Sequence, residues 1–411
     1  MTRRAVITGI GVVAPIGIGT EQYWNATREG QNGVAQITRF DPSKYATQLA
    51  GEVRDFDAAK FIEQRLIVQT DRWTWMALAA TQMALDDAGF EPKNYDPYQM
   101  SVITASSSGG NEFGQREIQS LWGKGPLFVG AYQSIAWFYA ATTGQISIKY
   151  AMKGPSSVIV TEGAGGLDTL AHARRTIRRG VDVVVGGGTE GPIGPYALTC
   201  QLQNGLLSGE PDPSAAYRPF DARANGYVPG EGGAILLIED AEHAQRRGAP
   251  HIYGEIVGHA ATQDAYHYAK SAPDGQQYGR AMGLAMKDAG VSPSDIDAVF
   301  ADAAGTLEGD AAETAALRGV LGQRATTVPV TAPKSMVGRL YAGGASLDIA
   351  TALLAMRDGC IPPTINHDTP AATCDLNIIT QTQPGDLNTV LVAARGFGGF
   401  NSAVVLRKYV G

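Results

Sequence analysis

A thirteen-residue segment occurs twice in this chain, and no other feature of the sequence constrains the fold so strongly. Ala84-Leu-Asp-Asp-Ala-Gly-Phe-Glu-Pro-Lys-Asn-Tyr-Asp96 aligns with Ala285-Met-Lys-Asp-Ala-Gly-Val-Ser-Pro-Ser-Asp-Ile-Asp297 at a constant offset of 201 residues. The pairs Ala84/Ala285, Asp87/Asp288, Ala88/Ala289, Gly89/Gly290, Pro92/Pro293 and Asp96/Asp297 are identical. Each copy reads as the last turn of a helix, a glycine where a left-handed cap belongs, a proline-led turn and an apolar strand. Helix-ending grammar alone accounts for the glycine and the proline. Six identities in register at half the chain length favour a duplicated α/β unit. At 411 residues the chain also exceeds what one hydrophobic core usually serves, about 250–300 residues. The sequence therefore predicts two halves, 1–245 and 246–411, sharing one body without a long linker.

Short β-branched runs alternate with helical stretches in both halves. Strands are expected over 5–13, 101–105, 157–160, 181–185 and 234–239, and again over 251–257, 298–301, 327–331 and 389–394. Several are apolar throughout, as strands covered on both faces are. A helix over Trp73–Ala88 carries Met76, Ala80 and Met83 on one side and ends at Gly89. The 51 glycines, spread without a collagen period, imply many tight turns and close backbone approaches. With 33 basic and 40 acidic residues the net charge is −7, which argues against nucleic acid or an anionic membrane as the main partner. Cys200, Cys360 and Cys374 form no Cys-x-x-Cys and leave one unpaired, so a reduced, cytoplasmic chain is expected. Arg3-Arg4 ahead of the mostly apolar run 5–19 imitates a signal segment, but Gly9, Gly11, Pro15, Gly17 and Gly19 would break its helix. No run of 18 apolar residues occurs, so no membrane span is expected.

Several motifs resemble sites without carrying their chemistry. Gly9-Ile-Gly-Val-Val-Ala14 matches the dinucleotide fingerprint, but Pro15 and Gly17 follow where that fingerprint needs a helix N-terminus to face a pyrophosphate. Gly186-Gly-Gly188 lacks the Gly-Lys-Ser/Thr of a phosphate loop and reads as a turn. The six histidines show no metal-ligand spacing, so no metal and no cofactor is expected. Arg174, Arg175, Arg178 and Arg179 cluster at a helix C-terminus, where cations offset the dipole; a docking patch for an acidic carrier protein is the other reading.

The stretch Gly154-Pro-Ser-Ser-Val-Ile-Val-Thr-Glu-Gly-Ala-Gly-Gly-Leu-Asp-Thr-Leu170 runs strand, sharp turn, helix. Such an elbow puts one residue at a helix N-terminus, where a thiolate is favoured. Here the chain resembles the β-ketoacyl synthases, whose nucleophilic cysteine sits in a Thr-Ala-Cys-x-Ser elbow; the matching residues are Thr161-Glu-Gly-Ala-Gly165, with Gly163 at the cysteine position. The resemblance spans nearly the whole chain. It includes Pro219-Phe-Asp-Ala-Arg-Ala-Asn-Gly-Tyr-Val-Pro-Gly-Glu-Gly-Gly233 and the glycine-rich loop Gly396-Phe-Gly-Gly-Phe-Asn-Ser402. The family's two catalytic histidines fall on Asp302, in Asp302-Ala-Ala-Gly-Thr-Leu-Glu-Gly-Asp310, and on Arg339, in Lys334-Ser-Met-Val-Gly-Arg339. Claisen condensation needs a thiolate and two histidine-type groups; none of the three remains.

Within the family the chain resembles the chain length factors, the ketosynthase beta subunits of type II polyketide synthases. Ala164-Gly-Gly-Leu-Asp168, Trp137-Phe-Tyr-Ala-Ala-Thr-Thr-Gly-Gln-Ile-Ser147 and Gly338-Arg-Leu-Tyr-Ala-Gly-Gly344 are typical of them. Chain length factors usually carry glutamine where this chain has Gly163, and the priming decarboxylation tied to that glutamine is not implied here. The resemblance implies a thiolase-like α/β fold, duplicated halves in a layered αβαβα arrangement. It further implies a heterodimer with a catalytic ketosynthase alpha subunit and work on malonyl or polyketide chains borne by an acyl carrier protein through phosphopantetheine. It places the length-limiting tunnel on the helix after Gly109-Gly110, at Asn111, Gly114 and Ile118, whereas the residues alone would make Ile118 and Leu121 plain core. The alternative is an acyltransferase or decarboxylase of the thiolase class using non-standard residues.

Overall fold

The computed structural model describes residues 3–411. In the first half, β1 (Ala5–Ala14), β2 (Met100–Ala105), β3 (Ser157–Ile159), β4 (Val183–Glu190) and β5 (Gly232–Asp240) lie side by side in the order β3-β2-β4-β5-β1. In the second, β6 (Gly254–Gln263), β7 (Ala298–Phe300), β8 (Pro329–Thr331), β9 (Thr389–Gly396) and β10 (Phe400–Arg407) lie in the order β8-β7-β9-β10-β6. The two orders are the same. In each half the second strand runs parallel to the third and fourth, and the fourth, fifth and first are antiparallel neighbours. The two first strands meet: Val6 and Ile7 of β1 pair antiparallel with Glu255 and Gly254 of β6.

The helices stack these sheets into five layers. α1 (Arg72–Asp87) covers the outer face of β1 and β5, and α4 (Gln276–Ala289) covers that of β6 and β10. α3 (Gly165–Arg178) and α6 (Ala342–Asp358) pack on each other between the sheets, α5 (Leu307–Leu321) packs on α4, and α2 (Asn111–Lys124) packs on the short helical segments at 126–136 and 195–202. The period-2 alternation of the strands feeds both sides. Val184, Leu236, Val390 and Val404 join Leu170 and Leu353 in the central core, whereas Val185, Leu237, Leu391 and Val405 point to the outer helices. α6 is apolar nearly all round, as a helix between two sheets must be.

The repeated residues prove to be the contacts between each outer helix and its strand. Ala84 and Ala285 turn their carbonyls onto Gly9 and Gly258, where an added Cβ would lie 2.1 and 2.2 Å away. Ala88 and Ala289 flank the same glycines. Asp87 accepts from Ile10 N (2.8 Å) and Asp288 from His259 N (3.0 Å), beside a slip of register in each strand. Gly89 and Gly290 take φ of 58° and 66° and end the two helices. The supposed dinucleotide glycines therefore serve helix-on-strand packing.

Two expectations need correcting. Gly186-Gly-Gly188 is not a turn but the middle of β4: a Cβ at Gly187 would sit 2.4 Å from Ala234 O and one at Gly188 3.0 Å from Ala342 O, so the strand needs glycine where α6 and β5 crowd it. The terminal glycine-rich loop is only the tip of a hairpin, because Phe400–Arg407 forms β10 against β9. Among the described residues no helix is long and apolar enough to cross a membrane. The three cysteines are unpaired.

Replacing Gly258 by alanine forces a Cβ into the α4 backbone, and overpacking of this kind costs about 1–3 kcal/mol. A matching fall in unfolding free energy is expected in urea titrations, and the same for Gly9→Ala. Unchanged midpoints for both would show that the outer helices are not seated as described.

Candidate functional site

The elbow forms where β3 ends and the chain turns through a short 3-10 stretch, Glu162–Ala164, into α3. Glu162 carries the strain of the turn, with φ of 49°, a value residues with a Cβ seldom adopt. Its carboxylate accepts from Phe397 N at 2.7 Å, so it is tied to the β9–β10 hairpin instead of aimed at a substrate. Gly163 follows at the position expected for a nucleophile. A Cβ there would lie 2.5 Å from Arg395 O and 3.0 Å from an Arg339 guanidinium nitrogen. The elbow has lost more than a side chain: the space for one is filled.

What fills it is a buried ion network. Asp302 is 2% exposed, just beyond the end of β7. One carboxylate oxygen accepts from Arg395 N (3.0 Å) and from Arg339 (3.2 Å), and the other accepts from Arg395 Nε (3.0 Å). Arg339 also donates to Arg395 O at 2.7 Å, closing the ring beside Gly163. Arg395 reaches on to Gly309 O (3.0 Å) and to Glu313 (3.4 Å), over the ring of Tyr278. Glu313 in turn accepts from Asp302 N and Ala303 N, both at 2.8 Å. Lys334 pairs with Asp348 at 2.8 Å.

Burial works against the charge of Asp302, but Arg339, Arg395 and Lys334 outweigh it and hold the carboxyl well below the usual range. Burial likewise opposes the Arg339 cation, yet the Asp302 and Glu162 charges keep it protonated far above its ordinary value. Asp310 lies beside the network, and burial pushes it up to about 7, against hydrogen bonds from Phe220 N and Gly305 N. The cavity left among Gly163, Asp302, Lys334, Arg339 and Tyr341 is about 20 Å³, room for roughly one water. A fully paired carboxylate and a permanent cation offer no nucleophile and no exchangeable proton near neutral pH. Arg395 escaped notice in the sequence; its only signal was an arginine closing the apolar run of β9.

A larger space lies at α2. Asn111, Gly114 and Ile118 recur at helical spacing and, with Gln115, Gln133, Trp137 and Tyr196, line a cavity of about 270 Å³. The helix is anchored at its start. Phe113 N donates to the buried Asp71 carboxylate (2.7 Å), Glu112 pairs with Arg39, and Gln115 Oε1 accepts from Tyr196 N (2.9 Å). Phe113 turns into the core, while Ile118 is 46% exposed and borders the cavity, so Ile118 is not a plain core residue in this chain. Leu121 is half-buried. Gln133 and Trp137 come from one turn shortly after α2 and Tyr196 from a distant segment, and no local pattern joins them to α2. Amides, a phenol and an indole can shape or hold a ligand; they supply no nucleophile.

Arg174 is buried and pairs with Asp288 across the two halves, whereas Arg175, Arg178 and Arg179 are exposed. His172, His243, His259 and His367 each hold a hydrogen-bond partner, and no group of metal-ligating side chains gathers among the described residues.

Comparison with known proteins agrees with this geometry. The family description "Beta-ketoacyl synthase, N-terminal domain" matches residues 2–244, and "Beta-ketoacyl synthase, C-terminal domain" matches residues 253–368. The chain is 53% identical over 407 residues to the tetracenomycin polyketide synthase ketoacyl synthase beta subunit of Streptomyces glaucescens, covering 98% of both. It is 48% identical to the actinorhodin polyketide putative beta-ketoacyl synthase 2 of Streptomyces coelicolor, again over 98% of each. Among solved structures it is similar to the ishigamide ketosynthase/chain length factor, with a TM-score of 0.93, 30% identity and full coverage of both chains. It is similar also to a type II polyketide synthase acyl-carrier protein in complex with its ketosynthase bound to the hexaketide, with a TM-score of 0.91, 30% identity and full coverage of both.

Restoring the nucleophile alone is expected to fail. Gly163→Cys must push aside Arg395 O, at a cost of about 1–3 kcal/mol, and should show no acyl adduct by intact mass after incubation with malonyl-carrier protein. Arg339→Leu strands Asp302 without one of its partners and should destabilise the fold by about 3–5 kcal/mol. A stable Gly163→Cys protein that acylates would contradict the filled elbow.

Proposed function

We propose that this chain, which belongs to the β-ketoacyl synthase family, is a chain length factor: the non-catalytic subunit that pairs with a catalytic ketosynthase to build iterative type II polyketides from malonyl-acyl carrier protein. Residues 1–245 and 246–411 are its two ketosynthase-like halves, and it works in the cytoplasm. The observation that carries the reading is the elbow, where Gly163, Asp302 and Arg339 stand in the three catalytic positions and the last two belong to an ion network that fills the site. The scaffold around them is intact. A chain with that combination has a function only through what it does for another active site.

Two further features support the partnership. From the end of α2 onward the surface is unusually apolar: Trp122 is 82% exposed and Leu127 95%, with Phe128, Ile135, Phe138 and Ile148 also exposed. Large exposed apolar side chains in one stretch of chain fit an interface, and interfaces joining obligate partners bury on the order of 2,000 Å² or more. The α2 cavity borders that same surface through Ile118 and Trp137. In this reading Asn111, Gly114 and Ile118 form part of the tunnel wall against which a growing polyketide stops. The competing reading, catalysis by non-standard residues, gains nothing from the geometry, since Glu162 is bound to Phe397 N and Asp302 to two arginines.

Reconstitution tests the reading. The chain alone should form no acyl-enzyme and release no carbon dioxide from malonyl-carrier protein; with a partner ketosynthase it should co-elute as a heterodimer and support polyketide formation. Ile118→Phe should leave the heterodimer intact and shorten the dominant product by mass spectrometry. Turnover by the isolated chain would overturn the proposal.

A further inference from the structure

The α2 face that borders the cavity contains a residue with no side chain, so the wall at that point must come from elsewhere. A Cβ added to Gly114 would lie 3.1 Å from Trp137 Cδ1, 3.8 Å from its Nε1 and 3.9 Å from Gln133 Nε2. The volume that glycine vacates is thus occupied by the indole of Trp137, reaching across from the facing turn.

That turn is held by its main chain and free at its side chains. Gly110 N donates to Trp137 O (3.2 Å), and Trp137 N donates to Gln133 O (3.3 Å). A Cβ at Gly110 would lie 2.1 Å from Ala136 O and one at Gly109 2.4 Å from Trp137 O, so the paired glycines let this backbone lie against the start of α2. The indole itself is 47% exposed and touches the ring of Tyr139 on one side. Gln133 adds a second observation: its Oε1 is buried and has no hydrogen-bond partner. An orphaned acceptor on a cavity wall calls for a donor from whatever enters. Gln115 Oε1, by contrast, is already taken by Tyr196 N.

We infer that the Gln133–Trp137 turn, with the Trp137 indole as its closing surface, is the length-determining stop of this cavity, and that Gln133 Oε1 receives a hydroxyl from the far end of the chain. The inference rests on the tunnel reading above and goes beyond it by moving the stop off α2. The ligand end it fits is an oxygenated one: a poly-β-ketone carries enol hydroxyls that can donate to Gln133, and an alkyl chain carries none. The bulk of the indole sets where growth ends, because a packed wall yields only at the cost of overpacking.

The test uses the reconstituted heterodimer with malonyl-carrier protein, product length read by mass spectrometry and assembly by size exclusion. Trp137→Ala should shift the dominant product to a longer chain by at least one two-carbon extension, with the ratio of longer to original product rising roughly tenfold or more. Gly114→Ala, which pushes the indole inward, should shift it the other way. Gln133→Met should keep the length but lower the yield of full-length product several-fold. If Trp137→Ala impairs assembly, Trp137→Phe, which removes less of the ring system, takes its place with the same expected direction. Unchanged length in the assembled Trp137 and Gly114 variants, with Ile118→Phe still shortening the product, would overturn the stop at Trp137 and leave the tunnel reading standing. Unchanged length in all of them would overturn both.

Discussion

The carboxylate of Asp302 cannot lie bare in the protein interior, and much of the second half is arranged around pairing it. Arg395 comes from the end of β9, Arg339 from the approach to α6, and Glu313 from α5. Removing one partner of a buried pair leaves a charge in a low-dielectric medium, which is far costlier than the modest net value of the intact pair. The network therefore behaves as a single unit that either forms entirely or not at all. It also reaches the first half, because Arg339 closes over Gly163 and the hairpin beyond Arg395 binds Glu162. Two strand ends of the second half, α5 and the elbow are locked by one set of charges.

This lock changes where the molecule has room. At the elbow about 20 Å³ remains, and at α2 about 270 Å³. The first is the scale of one water molecule; the second approaches the ~300–1,000 Å³ of ordinary ligand pockets even with one protomer alone. The chemistry of the two linings diverges in the same direction. Charged groups crowd the small cavity and neutralise one another, whereas amides, an indole and a phenol line the large one. A fold built to present a reactive group at a helix N-terminus has kept the strained turn that does so, with φ of 49° at Glu162, after the reactive group was lost. Strain retained without chemistry implies that the turn still has a structural duty, which here is to carry the Glu162 contact to the hairpin.

The sequence made the duplication legible because the repeated glycines and prolines are local grammar with a physical reason. Gly89 and Gly290 end helices and Pro92 and Pro293 lead the turns that follow, whereas the strand N–H groups that Asp87 and Asp288 satisfy lie 77 and 29 residues away and left no local trace. The same locality puts residues 111, 114 and 118 on one face of α2 by spacing alone, whereas the tunnel role expected of them came from the family resemblance. Contacts without local grammar stayed hidden. Gly186-Gly-Gly188 looked like a turn because nothing nearby reveals that α6 presses on that strand. Arg395 looked incidental in an apolar run, although its partners lie about eighty to ninety residues away. Trp137 stood inside a recognisable motif, yet its meeting with Gly114 depends on a turn packed through two glycines.

The loss of catalysis and the persistence of the fold have one cause. In a site that must react, groups have to be held near their charges' tipping points, with open space beside them and partners left unsatisfied until substrate arrives. Such a site stores instability. Here each unsatisfied position has been given a permanent partner: Asp302 its two arginines, Arg339 a carbonyl, Glu162 a backbone N–H. At α2 the buried Gln133 Oε1 still lacks a hydrogen-bond partner, whereas Asp348 Oδ2, which borders the elbow cavity without one, is held by the Lys334 charge at 2.8 Å. Unfinished hydrogen bonding is where a protein leaves room for a ligand, and in this chain that place has moved from the elbow to the wall facing α2.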